Sequence, residues 1–185
     1  MSRPRAVALT GGIAAGKSEA LKAFARHGAA TASADAIVHD LLAHDTEVRD
    51  AIRARWGDDA VGDRARIGEI VFDDRRELEW LEQLLHPRVR LAQQAWLEGV
   101  GEPIAVVEIP LLYETGGESR FDAVVVITAP PEVRAARRGA FAERESRLIS
   151  DEEKLRRADY AYVNDGTLED LDRFVAEVVE RLTAP

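Results

Sequence analysis

Residues 11–18, with the sequence GGIAAGKS, constrain the fold of this chain more than any other segment. They have the pattern G-x-x-x-x-G-K-[ST], in which glycines let the backbone curl so that successive N–H groups point at one anion. The segment follows a short apolar run at residues 6–9 and precedes a helical stretch at residues 19–26. This strand–loop–helix context predicts a phosphate-binding loop. The alternative is a glycine-rich turn that contains GKS by chance.

Two side chains of this loop suggest what it binds. The loop leads to a helix N-terminus, where unpaired N–H groups and the helix dipole favour negative charge. In this pattern Lys17 can reach the outer phosphates of a nucleotide, and the Ser18 hydroxyl can coordinate Mg²⁺. The sequence therefore predicts a site for a nucleoside triphosphate and Mg²⁺.

Composition narrows the class of partner. The net charge is −9 at pH 7, whereas a nucleic-acid-binding face is usually basic, so no nucleic-acid partner is expected. The absence of cysteine excludes disulfides and thiolate chemistry. No run approaches the roughly 18 apolar residues of a membrane span, and no signal-peptide pattern is present. We therefore expect a cytoplasmic protein without a membrane partner, a monomer or a weak oligomer.

Strand-like and helix-like segments alternate along the 185 residues, which suit a single domain with inserted elements. The restriction before proline predicts a helix break at His86-Pro87. This alternation predicts an α/β fold whose parallel sheet is covered on both faces and binds ligands at the carboxyl ends of its strands. Strands are predicted at residues 6–10, 29–34, 104–109, 123–128 and 160–163, and helices at 18–27, 35–43, 46–55, 75–85, 88–98, 131–138 and 167–182, with a loop at 58–68.

A phosphate-binding loop does not by itself define a reaction. The reaction class is indicated by the other residues that each class of enzyme requires. A GTPase would carry an Asn-Lys-x-Asp segment after a strand, but the strand at 123–128 runs into Ala129-Pro130-Pro131. A small-molecule kinase needs a carboxylate for the acceptor hydroxyl, an acceptor pocket and a basic cover over the phosphates. Asp35, directly after the second predicted strand, is the candidate carboxylate, with a helix N-cap as the alternative.

The basic cover is predicted between residues 134 and 147. Guanidinium groups suit bidentate binding of phosphate. Acidic residues share the region, so a solvated helix face is the alternative interpretation. The arginines of this segment are Arg134, Arg137, Arg138, Arg144 and Arg147.

Five motifs occur in a fixed order between residues 8 and 166, and together they are far more specific than the phosphate-binding loop alone. With these motifs in this order, the chain resembles the dephospho-CoA kinase family. The motifs are ALTGGIAAGKS at 8–18, Ala34-Asp35, LLHP at 84–87, EIPLLYE at 108–114, and ADY at 158–160 leading to NDG at 164–166.

This resemblance implies transfer of the γ-phosphoryl group of ATP to the ribose 3′-hydroxyl of dephospho-CoA, giving CoA and ADP. It implies a three-layer α/β/α P-loop nucleotide-kinase fold with a five-stranded parallel core sheet. The alternatives are another small P-loop kinase, such as one acting on a nucleoside monophosphate, and a nucleotide-binding module without catalysis. The implied single kinase domain has its core at residues 1–63, 102–138 and 153–185, a helical acceptor-binding insert at about 64–101 and a short lid at about 139–152.

The resemblance also implies roles for individual residues. Asp35 resembles the general base of the family, and Lys17 is the second catalytic residue. His86 matches the acceptor-side histidine of a His-Pro pair, with a structural histidine as the alternative. Acceptor binding is further implied for Asp35 itself, Glu108, Leu111, Glu114 and Arg144. ATP binding is implied for Gly11, Gly12, Ala14, Ala15, Gly16, Lys17, Ser18, Glu19, Arg137, Arg138 and Asn164, and Mg²⁺ binding for Ser18.

The chain departs from the family pattern in four places. Ala14 stands where glycine is common, so the loop must hold a conformation that alanine tolerates. Glu19 replaces a usual threonine, and its carboxylate would repel phosphate if it turned inward. Ser33 replaces an aspartate, which leaves Asp35 to act without it. The segment between residues 138 and 158 is shortened, so the arginine that contacts phosphate there is not identified.

Overall fold

A five-stranded parallel sheet lies at the centre of the first of two compact units in this chain. The structure is a computed structural model that describes residues 3–138 and 149–184, apart from the side chains of Asp73 and Arg138. The strands lie in the order β2-β3-β1-β4-β5, and all neighbouring strands are parallel. This confirms the predicted α/β fold and its sheet. The strands are β1 (Arg5–Gly11), β2 (Ala30–Ser33), β3 (Ile104–Glu108), β4 (Ala123–Thr128) and β5 (Tyr160–Val163).

Helices occupy most of the remaining described residues. The chain divides into two compact units, one formed by Met1–Ser33 with Gly99–Pro185 and the other by Ala34–Glu98. None of the described helices combines the length and hydropathy needed to cross a membrane. In chain order the helices are α1 (Lys17–Arg26), α2 (Ala34–His44), α3 (Thr46–Trp56), α4 (Arg64–Asp73), α5 (Arg75–Gly99), α6 (Pro131–Arg138), α7 (Asp151–Arg157) and α8 (Leu168–Thr183), with 3-10 turns at Asp58–Ala60 and Glu118–Arg120.

The central position of β1 determines where the phosphate-binding loop begins. Leu9 pairs with Glu108 of β3 on one side and with Val125 of β4 on the other. The three central strands β1, β3 and β4 are mainly apolar and buried, as is typical of parallel strands covered on both faces. Because the carboxyl ends of parallel strands meet at one edge, β1 brings Gly11 to that edge between its two neighbours.

The core of the first unit fixes α1 behind this loop. Phe24 of α1 is fully buried in one apolar cluster with Leu9 and Val125 of the sheet and with Leu171 and Val175 of α8. Burial of a side chain of this size contributes about 1.5–3 kcal/mol relative to exposure. The helix that receives the loop is therefore held in place by packing against the sheet and α8.

The second unit differs from the prediction at α4. Residues 58–68 were expected to form a loop, but a 3-10 turn covers Asp58–Ala60 and α4 begins at Arg64. Asp63 caps this helix, since its carboxylate accepts hydrogen bonds from the backbone N–H groups of Ala65 and Arg66. The high charge of the segment predicted a loop. The helix nevertheless starts here because the Asp63 N-cap stabilises its first turn.

The predicted break at Pro87 is wrong. α5 continues through Pro87 as one helix of 25 residues. Leu81 and Leu85, six and two residues before the proline, are buried in the core of this unit, and Gln93 is buried after it. Packing on both sides of the proline outweighs its local cost, which is about 3 kcal/mol relative to alanine in a helix interior.

We expect Pro87→Ala to raise the free energy of unfolding by about 1–2 kcal/mol. Alanine restores the missing N–H donor, while part of the gain is offset because proline also restricts the unfolded chain. Chemical denaturation followed by circular dichroism measures the change. The matched control is Arg90→Ala, an exposed position on the same helix, which should change stability by less than about 0.5 kcal/mol. Equal stability of the Pro87→Ala and parent chains would contradict this account of α5.

Candidate functional site

The phosphate-binding loop starts where the backbone of β1 meets that of β4. Gly11 has φ of 141°, and a Cβ atom placed on it would lie 1.8 Å from the carbonyl oxygen of Ile127. The next residue, Gly12, donates its N–H to the same oxygen at 3.2 Å. A side chain at position 11 is therefore excluded by both the conformation and the neighbouring strand.

The loop ends at Gly16, the N-cap of α1, in the left-handed region with φ of 103°. The buried Asn164 donates its side-chain Nδ2 to the carbonyl oxygen of Ala15 at 2.8 Å, and its backbone N–H to that of Thr128 at 2.7 Å. A Cβ atom on Gly16 would lie 2.4 Å from this Nδ2. Asn164 thus holds the loop against the end of the sheet and requires glycine at position 16.

Ala14 is the described non-glycine residue with positive φ, at 56°. This value lies in the small left-handed region that L-residues enter at a cost of roughly 1–2 kcal/mol. The conformation explains why glycine suits this position. The loop holds Ala14 there in spite of the strain.

Three polar side chains follow at the start of α1. Lys17 donates Nζ to the carbonyl oxygens of Gly12 at 2.7 Å and Gly11 at 3.3 Å. Ser18 is exposed in the first turn. The Glu19 carboxylate pairs with Lys22 Nζ at 2.8 Å, one turn further along the helix. In this structure Lys22 therefore neutralises the carboxylate that could repel phosphate.

Arg137 of α6 reaches the same loop. Its Nη1 donates to the carbonyl oxygens of Ala14 and Ala15, each at 3.3 Å, and its Nη2 to that of Asn164 at 3.4 Å. A guanidinium group held there supplies positive charge beside the loop. Of the other predicted arginines, Arg138 is described only by its backbone at the end of α6, and Arg144 and Arg147 lie outside the described residues.

A cavity of about 340 Å³ adjoins the first part of the loop, with walls from Gly12, Ile13, the end of β4, α6 and α7. Arg134 Nη2 lies 3.6 Å from Asp151 Oδ2, and both side chains contact the space beside Gly12. Arg134 is one of the predicted cover arginines, whereas no role was predicted for Asp151. The approach of Asp151 to Gly12 and Arg134 depends on how α6 and α7 pack. The charge-dense sequence of this region does not predict that packing.

The end of β3 and the segment after it carry three predicted acceptor-side residues. Glu108 is half-buried at the last position of the strand, and Leu111 is exposed. Glu114 turns toward α7, where its Oε1 lies 3.0 Å from Lys154 Nζ and accepts a hydrogen bond from the Ile149 N–H at 3.2 Å. Lys154 lies 40 residues further along the chain, and the sequence gave no indication of this ion pair.

Asp35 and His86 belong to the second unit. Ala34 begins α2, so Asp35 lies within the first turn, where a carboxylate is favoured by the helix dipole, and it is exposed. Asp35 follows β2 by two residues, and the last residue of β2, Ser33, pairs with Glu108. His86 is exposed within α5.

Together, a central parallel strand, a glycine-rich loop, a helix N-terminus and a loop lysine define a P-loop protein of the nucleotide-kinase type. The described residues contain no group of three histidine or acidic side chains able to hold a metal on their own.

The comparisons with known proteins identify the family. The family model described as Dephospho-CoA kinase matches residues 5–170. A dephospho-CoA kinase of Rhodopseudomonas palustris strain HaA2 is 40% identical over 190 residues, covering 95% of this chain and 93% of that protein. The chain belongs to the dephospho-CoA kinase family, which confirms the resemblance found in the sequence.

Two solved structures share the whole fold. The TT1252 protein of Thermus thermophilus has a TM-score of 0.83 and 30% identity, with 99% of this chain and 100% of that chain covered. The dephospho-CoA kinase from Campylobacter jejuni has a TM-score of 0.71 and 28% identity, with 97% and 98% covered. The likeness therefore extends over both compact units.

We expect Ala14→Gly to stabilise the chain by about 0.5–1 kcal/mol, because relief of the left-handed strain exceeds the entropy that glycine adds to the unfolded state. Thermal unfolding without nucleotide measures the change. Ala54→Gly is the control, since Ala54 is exposed inside α3 and glycine should cost about 0.5–1 kcal/mol there. A loss of stability in both variants would show that Ala14 is not strained.

Proposed function

We propose that this chain transfers the γ-phosphoryl group of ATP to the ribose 3′-hydroxyl of dephospho-CoA, giving CoA and ADP. The observation that carries the proposal is the loop of residues 11–18. Its left-handed turns, its place at the start of α1 and the Lys17 ammonium group over it suit the phosphates of a nucleotide. Family membership supports the choice of acceptor.

In this proposal the loop residues and Arg137 bind ATP. Lys17 Nζ exchanges the carbonyl oxygen of Gly12 for the outer phosphates, and stabilises the negative charge that shifts toward the β–γ bridging oxygen. Arg137, already beside the loop, adds positive charge. Arg138 is proposed as a further ATP contact. Asn164 acts through its hydrogen bond to Ala15, which keeps the loop in its binding conformation.

Mg²⁺ is proposed to bind through the exposed Ser18 hydroxyl together with phosphate oxygens and water, a ligand set that this small, hard cation accepts. When bound, the ion would neutralise charge on the transferred phosphoryl group. The Glu19 carboxylate, next along the chain, pairs with Lys22.

Asp35 is proposed as the base that accepts the proton of the 3′-hydroxyl. Its exposed carboxylate lies just beyond the end of β2, and ligands bind at the carboxyl ends of strands in sheets of this kind. On the acceptor side we propose His86, Glu108, Leu111, Glu114 and Arg144, with the helical region at about 64–101 contributing to the acceptor pocket and residues 139–152 forming the lid. The cytoplasmic location, the lack of nucleic-acid binding and the monomeric or weakly associated state also stay predictions.

A coupled assay of ADP release tests the reaction. With ATP and Mg²⁺, release is expected to depend on dephospho-CoA and to stay at background with nucleoside monophosphates. Activity on a nucleoside monophosphate alone would favour the other small kinase, and nucleotide binding without any transfer would favour a non-catalytic module.

Asp35→Asn should lower kcat by about 10²–10⁴-fold, the usual contribution of a positioned general base, while the affinity for ATP is retained. Steady-state kinetics with dephospho-CoA measures kcat, and calorimetry measures the binding of ATP. Asp40→Asn on the same helix is the matched control, because Asp40 is also exposed and is assigned no role. Transfer within severalfold of the parent chain in Asp35→Asn would remove Asp35 from this role.

Lys17→Ala should reduce kcat/KM by an amount equivalent to roughly 3–4 kcal/mol, as expected for loss of one preorganised electrostatic group. Arg26→Ala, at an exposed position in the last turn of α1, is the control for loss of a positive charge. An unchanged rate in Lys17→Ala would exclude Lys17 from catalysis.

A further inference from the structure

Helix α7 is joined to the segment after β3 by a buried ion pair. Lys154 Nζ lies 3.0 Å from Glu114 Oε1, with only 1% of the Lys154 side chain and 15% of the Glu114 side chain exposed. The same carboxylate accepts the N–H of Ile149, two residues before α7. Since a buried ammonium group is tolerated only when it is paired, the carboxylate of Glu114 fixes the position of the helix that carries Lys154.

A second contact holds the other end of α7. The Arg157 guanidinium group pairs with Glu118 and lies 4.3 Å from the ring centroid of Tyr113. Tyr113 is buried, and this burial raises the pKa of its hydroxyl, with the Arg157 charge acting in the opposite direction. Lys154 and Arg157 are three residues apart, so both attach one side of the helix to the same segment.

The beginning of α7 adjoins the phosphate-binding loop. A Cβ atom on Gly12 would lie 3.2 Å from each carboxylate oxygen of Asp151 and 3.4 Å from Nη1 of Arg134. The Gly12 carbonyl oxygen also accepts the hydrogen bond from Lys17 Nζ. In loops of this type that lysine reaches the β- and γ-phosphates, so α7 flanks the end of the loop that receives the terminal phosphate.

We propose that Glu114 is a positioning residue for the γ-phosphate. Through Lys154 and Ile149 it holds α7 against the cavity beside Gly12, and α7 in turn holds Asp151 and Arg134 at the wall of that cavity. This inference rests on the proposed function, because it concerns the nucleotide side of the same site. It adds to the acceptor-side role proposed for Glu114, and the two roles are separable when the acceptor is left out.

The test compares two nucleotides in the absence of acceptor. The β,γ-imido analogue of ATP and ADP are titrated by calorimetry, each with Mg²⁺, into the full chain and its variants. Glu114→Gln and Lys154→Met should each weaken binding of the triphosphate analogue by about tenfold, a coupling usual for side chains of one network, and leave that of ADP within about twofold. The double variant should lose less than the sum of the two single losses, because neither charge is left buried alone.

The control variant is Asp172→Asn, which removes the contacts of Asp172 with Arg26 and His27 between α1 and α8 in the same unit. A purely structural effect would weaken both nucleotides equally, whereas the inference requires the ratio of the two affinities to change in the Glu114 and Lys154 variants and not in the control. An unchanged ratio in variants that bind nucleotide would overturn it. Failure of the unaltered chain to bind either nucleotide would instead overturn the proposed function.

Glu114→Gln or Lys154→Met could leave the other partner buried and unpaired and so unfold the chain. A further variant tests the proposal in that case. Glu118→Gln acts at the more exposed Arg157 contact, where each side chain is about one-third exposed. A loss of about twofold to fivefold, as expected for a partly exposed pair, should be confined to the triphosphate analogue. No change, or an equal change for ADP, contradicts the positioning role.

Discussion

A hydrogen bond between residues 149 positions apart determines the shape of the phosphate-binding loop. It runs from the Asn164 side chain, just after β5, to the Ala15 carbonyl oxygen. The backbone N–H of Asn164 is bonded to Thr128 at the end of β4, so the loop that begins at β1 is also held by the two strands on one side of it. Because Asn164 is buried and approaches Gly16 closely, neither the glycine nor the amide can be changed without moving the loop.

The same arrangement places positive charge at the loop of a chain whose net charge is −9. Lys17 and Arg137 already lie over the loop, held by hydrogen bonds to its carbonyl oxygens. In the proposed function, phosphate oxygens replace those carbonyl oxygens as the hydrogen-bond acceptors. Charges and N–H groups that are placed before the nucleotide arrives need little reorganisation during transfer, which is the main source of catalysis in phosphoryl transfer.

Local patterns in the sequence were sufficient for the sheet, the loop and the family. Short apolar runs predicted the strands, and the glycine and lysine spacing predicted a loop whose left-handed residues the structure contains. The helix through Pro87 could not be predicted, because packing of Leu81 and Leu85 overrides the local restriction.

Contacts between distant residues were beyond sequence reasoning. The pair formed by Glu114 and Lys154 and the meeting of Asp151 with Gly12 depend on where α7 packs, and the charge-dense sequence around it has no clear apolar face. The direction of the Glu19 carboxylate was open for a similar reason, since it depends on its pairing with Lys22.

We propose that the loop presents the γ-phosphoryl group of ATP to the ribose 3′-hydroxyl of dephospho-CoA. The most direct test incubates the full chain with dephospho-CoA, Mg²⁺ and ATP labelled in the γ-phosphoryl group, and locates the label by phosphorus NMR and mass spectrometry of the product. We expect one labelled phosphate, on the 3′-oxygen of the ribose, and an equal amount of ADP. Label found only in inorganic phosphate, or at another position of the acceptor, would contradict it.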